Sequence, residues 1–515
     1  MKDMAQAKAS APEVLITAEE AYPVFERRVL AAREQIVMGF RIFDPTTRLH
    51  SEEAKAVGDT WADLLLDALE RGVRIEIHLS DFDPVAATDL HEICWRSVRV
   101  LCGVREIAGP AGKNLTVHPE IHPAKTGAVA RVFFWPFVAA KMRQLVRRIE
   151  QDNPASHRRR VLKYIPGFAY LHDRYKGRPV FSFPASHHQK LASFDDRWLY
   201  IGGLDLNERR WDRKDHDRPA QETWHDVQVL VDDPEAATSA RRHLECYNAT
   251  AAGHHEVIDT PGILRTLSQD QSHRRPWSMA PRTIVHELAD IHHEGIRKAK
   301  RLIYLETQFF RDRKLASALA RRARENPDLH LILILPAAPE TVAFFKNPKL
   351  DGRYGDFLQS RCLRKIRRAF HGRLLIASPV QQRRTNGVDV DADRASLADA
   401  PIIYVHAKVS IFDDELGIIS SANLNGRSLR WDTEAGVAFR EPENVMRLRE
   451  QVIRHWLPDD PEALTPESGF AHWRKIVREN NTLPPEDRHG YLVPYDRKAA
   501  EATALPLPGM PEEMV

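Results

Sequence analysis

The 515-residue chain sets 75 Lys+Arg against 72 Asp+Glu, a net charge of +3, with 43% hydrophobic and 29% charged residues. This composition excludes a wholly disordered chain, and so even a charge balance gives no general attraction to nucleic acid. The cysteines Cys94, Cys102, Cys246 and Cys362 lie at no metal-ligand spacing and are too few for a disulfide scaffold.

The N-terminal stretch lacks the apolar region of a secretory signal. The longest apolar runs, Val132 to Ala140 and Leu329 to Ala338, fall short of the ~20 residues of a membrane span. A cytoplasmic protein, or one peripheral to a membrane, is expected, with non-classical export as the alternative.

In chain order, residues 1–29 read as a lead. The stretch Ala31 to Phe43 predicts a helix end running into a buried strand, Trp61 to Gly72 a helix with a C-terminal glycine, and Val73 to Leu79 an alternating strand. An insertion is expected from about 84 to 176 inside a first half spanning 30–260. It holds Arg131-Val-Phe-Phe-Trp-Pro-Phe137, then Lys141, Arg143, Arg147, Arg148, Arg158 to Arg160 and Lys163. Aromatics beside bases suit an anionic membrane surface; a packed helix with a solvated basic face, its apolar stretch interrupted at Pro136, is the plainer reading.

After a linker at 261–280, the order returns in a second half at 281–460. Ile296 to Gln308 goes from helix to strand, Leu315 to Arg324 is helical and Leu329 to Leu335 is a strand. Residues 461–498 form a C-terminal extension, and 499–515, ending LPLPGMPEEMV, are expected to be disordered. The alternation predicts an α/β fold of two related halves, each a mixed β-sheet flanked by helices.

One pattern occurs twice: His188-Gln-Lys190-Leu-Ala-Ser-Phe-Asp195 and His406-Ala-Lys408-Val-Ser-Ile-Phe-Asp413. Chance supplies on the order of 0.06 such matches at this composition, so two are a signature. Each copy lies on an alternating segment, which places His and Lys on one face of a strand. Small-residue turns follow at Gly202-Gly-Leu-Asp205 and Ser420-Ser-Ala-Asn423.

On these residues the chain resembles the phospholipase D superfamily, whose mark is the duplicated HKD motif. His187-His-Gln-Lys190, Arg210-Trp-Asp212, Trp224-His-Asp-Val227, Ile296 to Phe310, and Tyr404 to Lys408 through Ser421 to Ser428 are similar to the phosphatidylcholine-cleaving branch, over about residues 30 to 460. The resemblance implies two halves about a pseudo-two-fold axis with the active site at their interface. It implies His188 as nucleophile of a phosphohistidine and His406 as the acid, then base. Lys190, Lys408 and Asn423 would bind the phosphate, while Asp226 and Glu434 would each hold an imidazole. Asp195, Asp413, Asp205 and Ser421 would be structural. Such a transfer needs a nucleophile and an acid, which two imidazoles supply, and fixed positive charge, which two lysines supply. No metal or cofactor is then required.

The expected function is a phospholipase D releasing phosphatidic acid and the free headgroup from a glycerophospholipid, with transfer to alcohols competing. The partner would be phospholipid at a membrane surface, with no nucleic acid, and the chain would act as a monomer because it holds both motifs. A cardiolipin-synthase-like phosphatidyltransferase, a superfamily nuclease and an inactive lipid-binding scaffold are the alternatives. The short lead leaves no room for a targeting domain of roughly 100 residues, so calcium-dependent docking is not expected.

One departure stands out: Ser420 replaces a usual glycine, and would be strained at positive φ by on the order of 1 kcal/mol. His254-His255 and His292-His293 lack the His-Glu-x-x-His spacing of a metal site and read as ordinary helix or surface residues. Glu306 and Gln308 read equally as site support or as a buried hydrogen-bonded pair. Arg361, Arg364, Lys365, Arg367 and Arg368 read as a charged helix face, a phosphate-rich surface being the sharper alternative.

Overall fold

In a computed structural model, the described residues are 11–84, 86–151, 183–278, 280–344, 350–389, 394–458, 460–464 and 469–515. The first half builds a seven-stranded sheet in the order β1-β7-β6-β5-β2-β3-β4. These strands are β1 (Glu13–Ile16), β2 (Gln35–Phe40), β3 (Arg74–Asp81), β4 (Leu115–Ile121), β5 (Leu191–Phe194), β6 (Trp198–Gly202) and β7 (Val227–Asp232). The second half contributes β8 (Leu264–Gln269), β9 (Arg282–His286), β10 (Leu302–Thr307), β11 (His330–Ile334) and β12 (Leu374–Pro379). After a two-residue ribbon, β13 (Ser396–Leu397) with β14 (Ala400–Pro401), come β15 (Lys408–Phe412), β16 (Leu416–Ser420), β17 (Glu434–Phe439) and β18 (Leu492–Pro494). Their nine-stranded sheet runs β18-β12-β11-β10-β15-β16-β17-β8-β9.

Six consecutive strands of the two sheets correspond one to one: β7-β6-β5-β2-β3-β4 matches β17-β16-β15-β10-β11-β12. In each, three strands run parallel and the motif strand joins antiparallel, β5 to β2 and β15 to β10. This is the α/β duplication, with two mixed sheets, that the sequence predicts.

Both faces of each sheet are buried, so strands such as Leu329 to Leu335 read as continuous apolar runs. Leu199, Ile201, Val227 and Val229 share one core with Tyr304, Ile332, Val409 and Ile419, joining the halves. Phe25, Trp61 and Tyr200 fill the outer core of the first half; Leu319, Leu331 and Leu363 fill that of the second.

Several expected boundaries differ. The supposed lead holds β1, which pairs with β7, and a helix at Thr17–Ala31. The supposed linker holds β8, which pairs with β17. The insertion is shorter than expected, because the helix Thr88–Ile107 and β4 match the helix Leu350–Phe370 and β12. Downstream, a helix at Ala128–Gln151 runs through Pro136 rather than ending there. Arg158 to Arg160 and Lys163 lie outside the described residues. Among the described residues, no helix is long and apolar enough to cross a membrane.

The end of the chain, expected to be disordered, is packed. A helix forms at Arg497–Thr503, and Arg430 pairs with Glu512 and Glu513 at 2.7 Å each. Tyr354 donates to Met510 O at 2.6 Å, an anchor that composition alone does not disclose.

Candidate active site

The two motifs meet where the sheets join. Each histidine sits just ahead of its strand, since β5 begins at Leu191 and β15 at Lys408, and not within it as alternation suggested. The segments are instead held by short parallel bridges to the opposite half, His187 to Thr433 and His225 to Val405. His188 N donates to Thr433 O at 2.8 Å, and Thr433 N to Ser186 O at 3.0 Å. In the mirror arrangement, His225 N donates to Tyr404 O and His406 N to His225 O, both at 2.8 Å.

These bridges place the residue after each bridging position beside the other half's histidine. Glu434 meets His188 Nδ1 at 3.0 Å, and Asp226 meets His406 Nδ1 at 2.6 Å. The carboxylates are therefore exchanged between halves. Each Nδ1 is engaged, which leaves the Nε2 face of each ring for chemistry. Ser421 Oγ also donates to Glu434, and Ala435 N to Ser421 Oγ at 3.0 Å.

Both histidines line one cavity of about 510 Å³. Arg41, Arg210, Arg311, Arg427, Gln308 and Asn423 line it too, beside the apolar Phe82, Leu90, Phe183 and Phe309. Arg41 follows β2 and Gln308 follows β10, so corresponding strands of the two sheets deliver both. Gln308 Nε2 donates to Tyr404 OH at 2.9 Å and Asn423 Nδ2 to Gln308 Oε1 at 3.2 Å. Arg210 lies 3.5 Å from the centroid of Trp224, whose ring packs at 4.7 Å on His406.

The three motif aspartates divide by position. Asp195 accepts from the backbone of Arg33, Glu34 and Gln35 at 2.8–2.9 Å, and Asp413 from Lys300, Arg301 and Leu302 at 2.7–2.8 Å. Both thus fix the start of the neighbouring parallel strand, away from the cavity. Asp205 accepts from Ile42 N at 3.0 Å and faces Lys190 at 3.8 Å. Lys190 Nζ donates to His188 O at 2.6 Å, and Lys408 Nζ lies 2.9 Å from His406 Nδ1 and also donates to His406 O.

Burial governs the protonation states. It pushes His188 well below the usual imidazole range, helped by Lys190 and Arg41, and raises Glu434 to about 8. It likewise lowers His406, with Lys408 assisting, and raises Asp226 to about 6 against the pull of Lys408. Lys408 falls to about 7 for the same reason. In each pair burial disfavours the charged form of both partners, and a phosphodiester anion entering the cavity would favour the imidazolium.

Ser420 is not strained. It ends β16 without a positive φ and pairs with Gly436, where a Cβ would come within 2.5 Å of Ser420 Cβ. In the first half the glycine is Gly202, opposite Gln228. The small residue has moved across the ladder.

Other singled-out residues lie elsewhere. Glu306 is buried against His225, Tyr304 and Trp456, behind the cavity, whereas Gln308 lines it. His292 spans Leu288 O at 2.6 Å and Ser410 Oγ at 3.0 Å, and His255 is exposed with Nδ1 2.7 Å from Glu256 O. In the arginine-rich helix, Arg364 pairs with Glu501 at 3.4 Å. The sequence pattern gives no signal for Arg41 and Arg311 as cavity residues; Arg210 and Arg427 lie inside the motifs but carry no expected role there.

Residues 293–456 match the family model described as cardiolipin synthase, PLD-like domain. Phospholipase D1 of Rattus norvegicus is 25% identical over 268 residues, 43% of this chain and 24% of that protein. Phospholipase D1 of Schizosaccharomyces pombe is 22% identical over 345 residues, 49% and 24%. Phospholipase D alpha 3 of Arabidopsis thaliana is 24% identical over 212 residues, 32% and 25%. The matches thus span about a quarter of the length of these relatives. Among solved structures, phosphatidylserine synthase of Haemophilus influenzae Rd KW20 superposes with TM-score 0.49 at 13% identity, covering 93% of this chain and 96% of that one. Polyphosphate kinase of Porphyromonas gingivalis gives 0.42 at 11%, covering 86% and 46%. Residues 293–456 thus form a PLD-like domain, and the first half repeats its His-x-Lys motif at His188 and Lys190.

Proposed function

We propose that the chain is a phospholipase D that cleaves the distal phosphodiester bond of glycerophospholipids, phosphatidylcholine foremost. The observation that carries this reading is the pair of exchanged His–carboxylate contacts opening on one cavity lined by arginines and phenylalanines. Arg41, Arg210 and the two lysines offset the phosphate charge, and the phenylalanines suit the glycerol and acyl portion.

In the first step His188 Nε2 attacks phosphorus, the bond to the headgroup oxygen breaks, and His406 Nε2 gives that oxygen its proton. Water then attacks, His406 takes its proton, and the phosphorus–nitrogen bond breaks to return neutral His188 and phosphatidic acid. An alcohol in place of water gives the transfer product. A phosphatidyltransferase is the second reading, favoured by the description of the matched family model.

The test incubates the protein with phosphatidylcholine, phosphatidylglycerol, cardiolipin and single-stranded DNA in parallel, with and without ethanol. Choline release, phosphatidylethanol formation and an acid-labile adduct on the His188 peptide are expected. Cardiolipin formation from phosphatidylglycerol without choline release favours the second reading. Cleavage of DNA alone, or an adduct on His406, overturns the assignment.

A further inference from the structure

Behind the catalytic cavity, three imidazoles from different parts of the chain converge. We infer that His216, His225 and His455 form a binding site for a divalent transition metal ion of the zinc class, clamping the two halves together. One ring nitrogen from each of the three lies within 4.8 Å of the others. His216 Nε2 and His455 Nε2 are 3.0 Å apart, about the separation of two ligands on one tetrahedral ion.

On two of the three rings the outward nitrogen fixes which lone pair points inward. Asp212 Oδ2 accepts from His216 Nδ1 at 2.6 Å, so Nε2 carries the lone pair. Glu306 takes His225 Nε2, leaving Nδ1 as the lone pair, and that atom has no hydrogen-bond partner among the described residues. His225 is 1% exposed and His216 is 0% exposed. A buried lone pair without a partner, as at His225 Nδ1, is costly, and a cation would satisfy it together with the facing nitrogens of His216 and His455. Carboxylates behind ligating histidines are the usual way to aim and strengthen such ligands. Here Asp212 and Glu306 would also balance the two positive charges.

The all-imidazole donor set selects zinc-like ions over calcium or magnesium, which take oxygen ligands. Of the three ligands, His455 also lines a neighbouring cavity of about 380 Å³. His216 and His225 belong to the first half, and His455 to the helix Pro442–Trp456 of the second. The His225 carbonyl receives His406 N, and the next residue, Asp226, holds the His406 ring. The ion would therefore be a structural clamp on the segment positioning His406, taking no part in the transfer.

A second cluster, Glu76, His78 and His118, is the control. There His78 is engaged at both nitrogens, by Glu120 and Glu76 at 3.1 Å each.

The experiment strips the purified full chain with chelator, then titrates zinc(II) and, as a spectroscopic probe, cobalt(II). One equivalent of zinc is expected to bind, with a visible four-coordinate cobalt spectrum. His455→Gln should weaken zinc on the order of 100-fold, and Asp212→Asn about 10–100-fold. His78→Gln should leave it unchanged. His188→Ala should keep the metal while losing headgroup release, which separates this site from the catalytic reading. No stoichiometric metal on the wild-type chain overturns the inference whatever the variants do. So does zinc bound by His455→Gln as tightly as by the wild type, or lost in His78→Gln.

Discussion

Glu434 reaches His188 at 3.0 Å although 246 residues separate them, and the contact crosses from one duplicate to the other. Asp226 returns the favour to His406 across 180 residues. Neither half can assemble a working imidazole alone, which ties folding of the interface directly to chemistry. Glu434→Gln and Asp226→Asn should each lower kcat by about 10³–10⁴-fold while leaving the fold intact, since an aiming partner of a catalytic histidine commonly carries that much. Nitrogen NMR of the imidazoles reads the exchange itself. His188 should change tautomer in Glu434→Gln and stay unchanged in Asp226→Asn; the opposite result would mean that each half serves its own histidine.

The same contact sets a pH dependence. While the His188–Glu434 pair holds its mobile proton, Nε2 is protonated whichever partner carries the formal charge, and cannot attack. Because burial holds Glu434 up at about 8, the competent fraction falls tenfold for each pH unit below that value. Glutamine at 434 removes this titration. The ratio of wild-type to Glu434→Gln kcat/KM should therefore climb with unit slope through pH 6 and 7 and level off near 8. A ratio constant from pH 6 to 8 would show that the pair's proton does not gate attack.

The histidines and lysines were legible in the sequence because duplication repeats their spacing, and the parallel strands because both faces are buried and their apolar runs are continuous. What brought Glu434 to His188 was not legible, since backbone bridges such as His187 to Thr433 are set by how two sheets dock. Arg41 and Arg311 escaped because a cavity cation needs only position, with no repeated neighbour to announce it. Lead and tail were misjudged for a related reason: a four-residue strand and a pair of glutamates bonded to Arg430 gain order from distant partners, not from local composition. Ser420 looked strained only while its ladder partner was unknown.

That partner yields a stability prediction. A Cβ on Gly436 would fall 2.5 Å from Ser420 Cβ and 2.9 Å from Ile419 O. Gly436→Ala should destabilise the chain by about 1–3 kcal/mol, the usual cost of overpacking. Ser420→Gly added to it should recover part of the loss, because one of the two obstructions is then gone. Urea denaturation of the two variants measures this. Equal stability of Gly436→Ala and the wild type would mean that the strands yield at this point.

Asp195 and Asp413 separate the structural from the chemical members of the motif. Each carboxylate gathers three backbone N–H groups at the start of β2 or β10, and none of these contacts faces the cavity. Alanine at either position leaves those donors to water or unpaired, at a cost on the order of 2–3 kcal/mol. The cost should be larger at Asp413, which is 7% exposed and so has less access to water. Variants kept below their melting temperature should retain kcat within about threefold, since the strands still deliver Arg41 and Gln308 to the cavity. Loss of activity on the scale seen for Glu434→Gln, in a chain that remains folded by circular dichroism, would place these acids in the reaction.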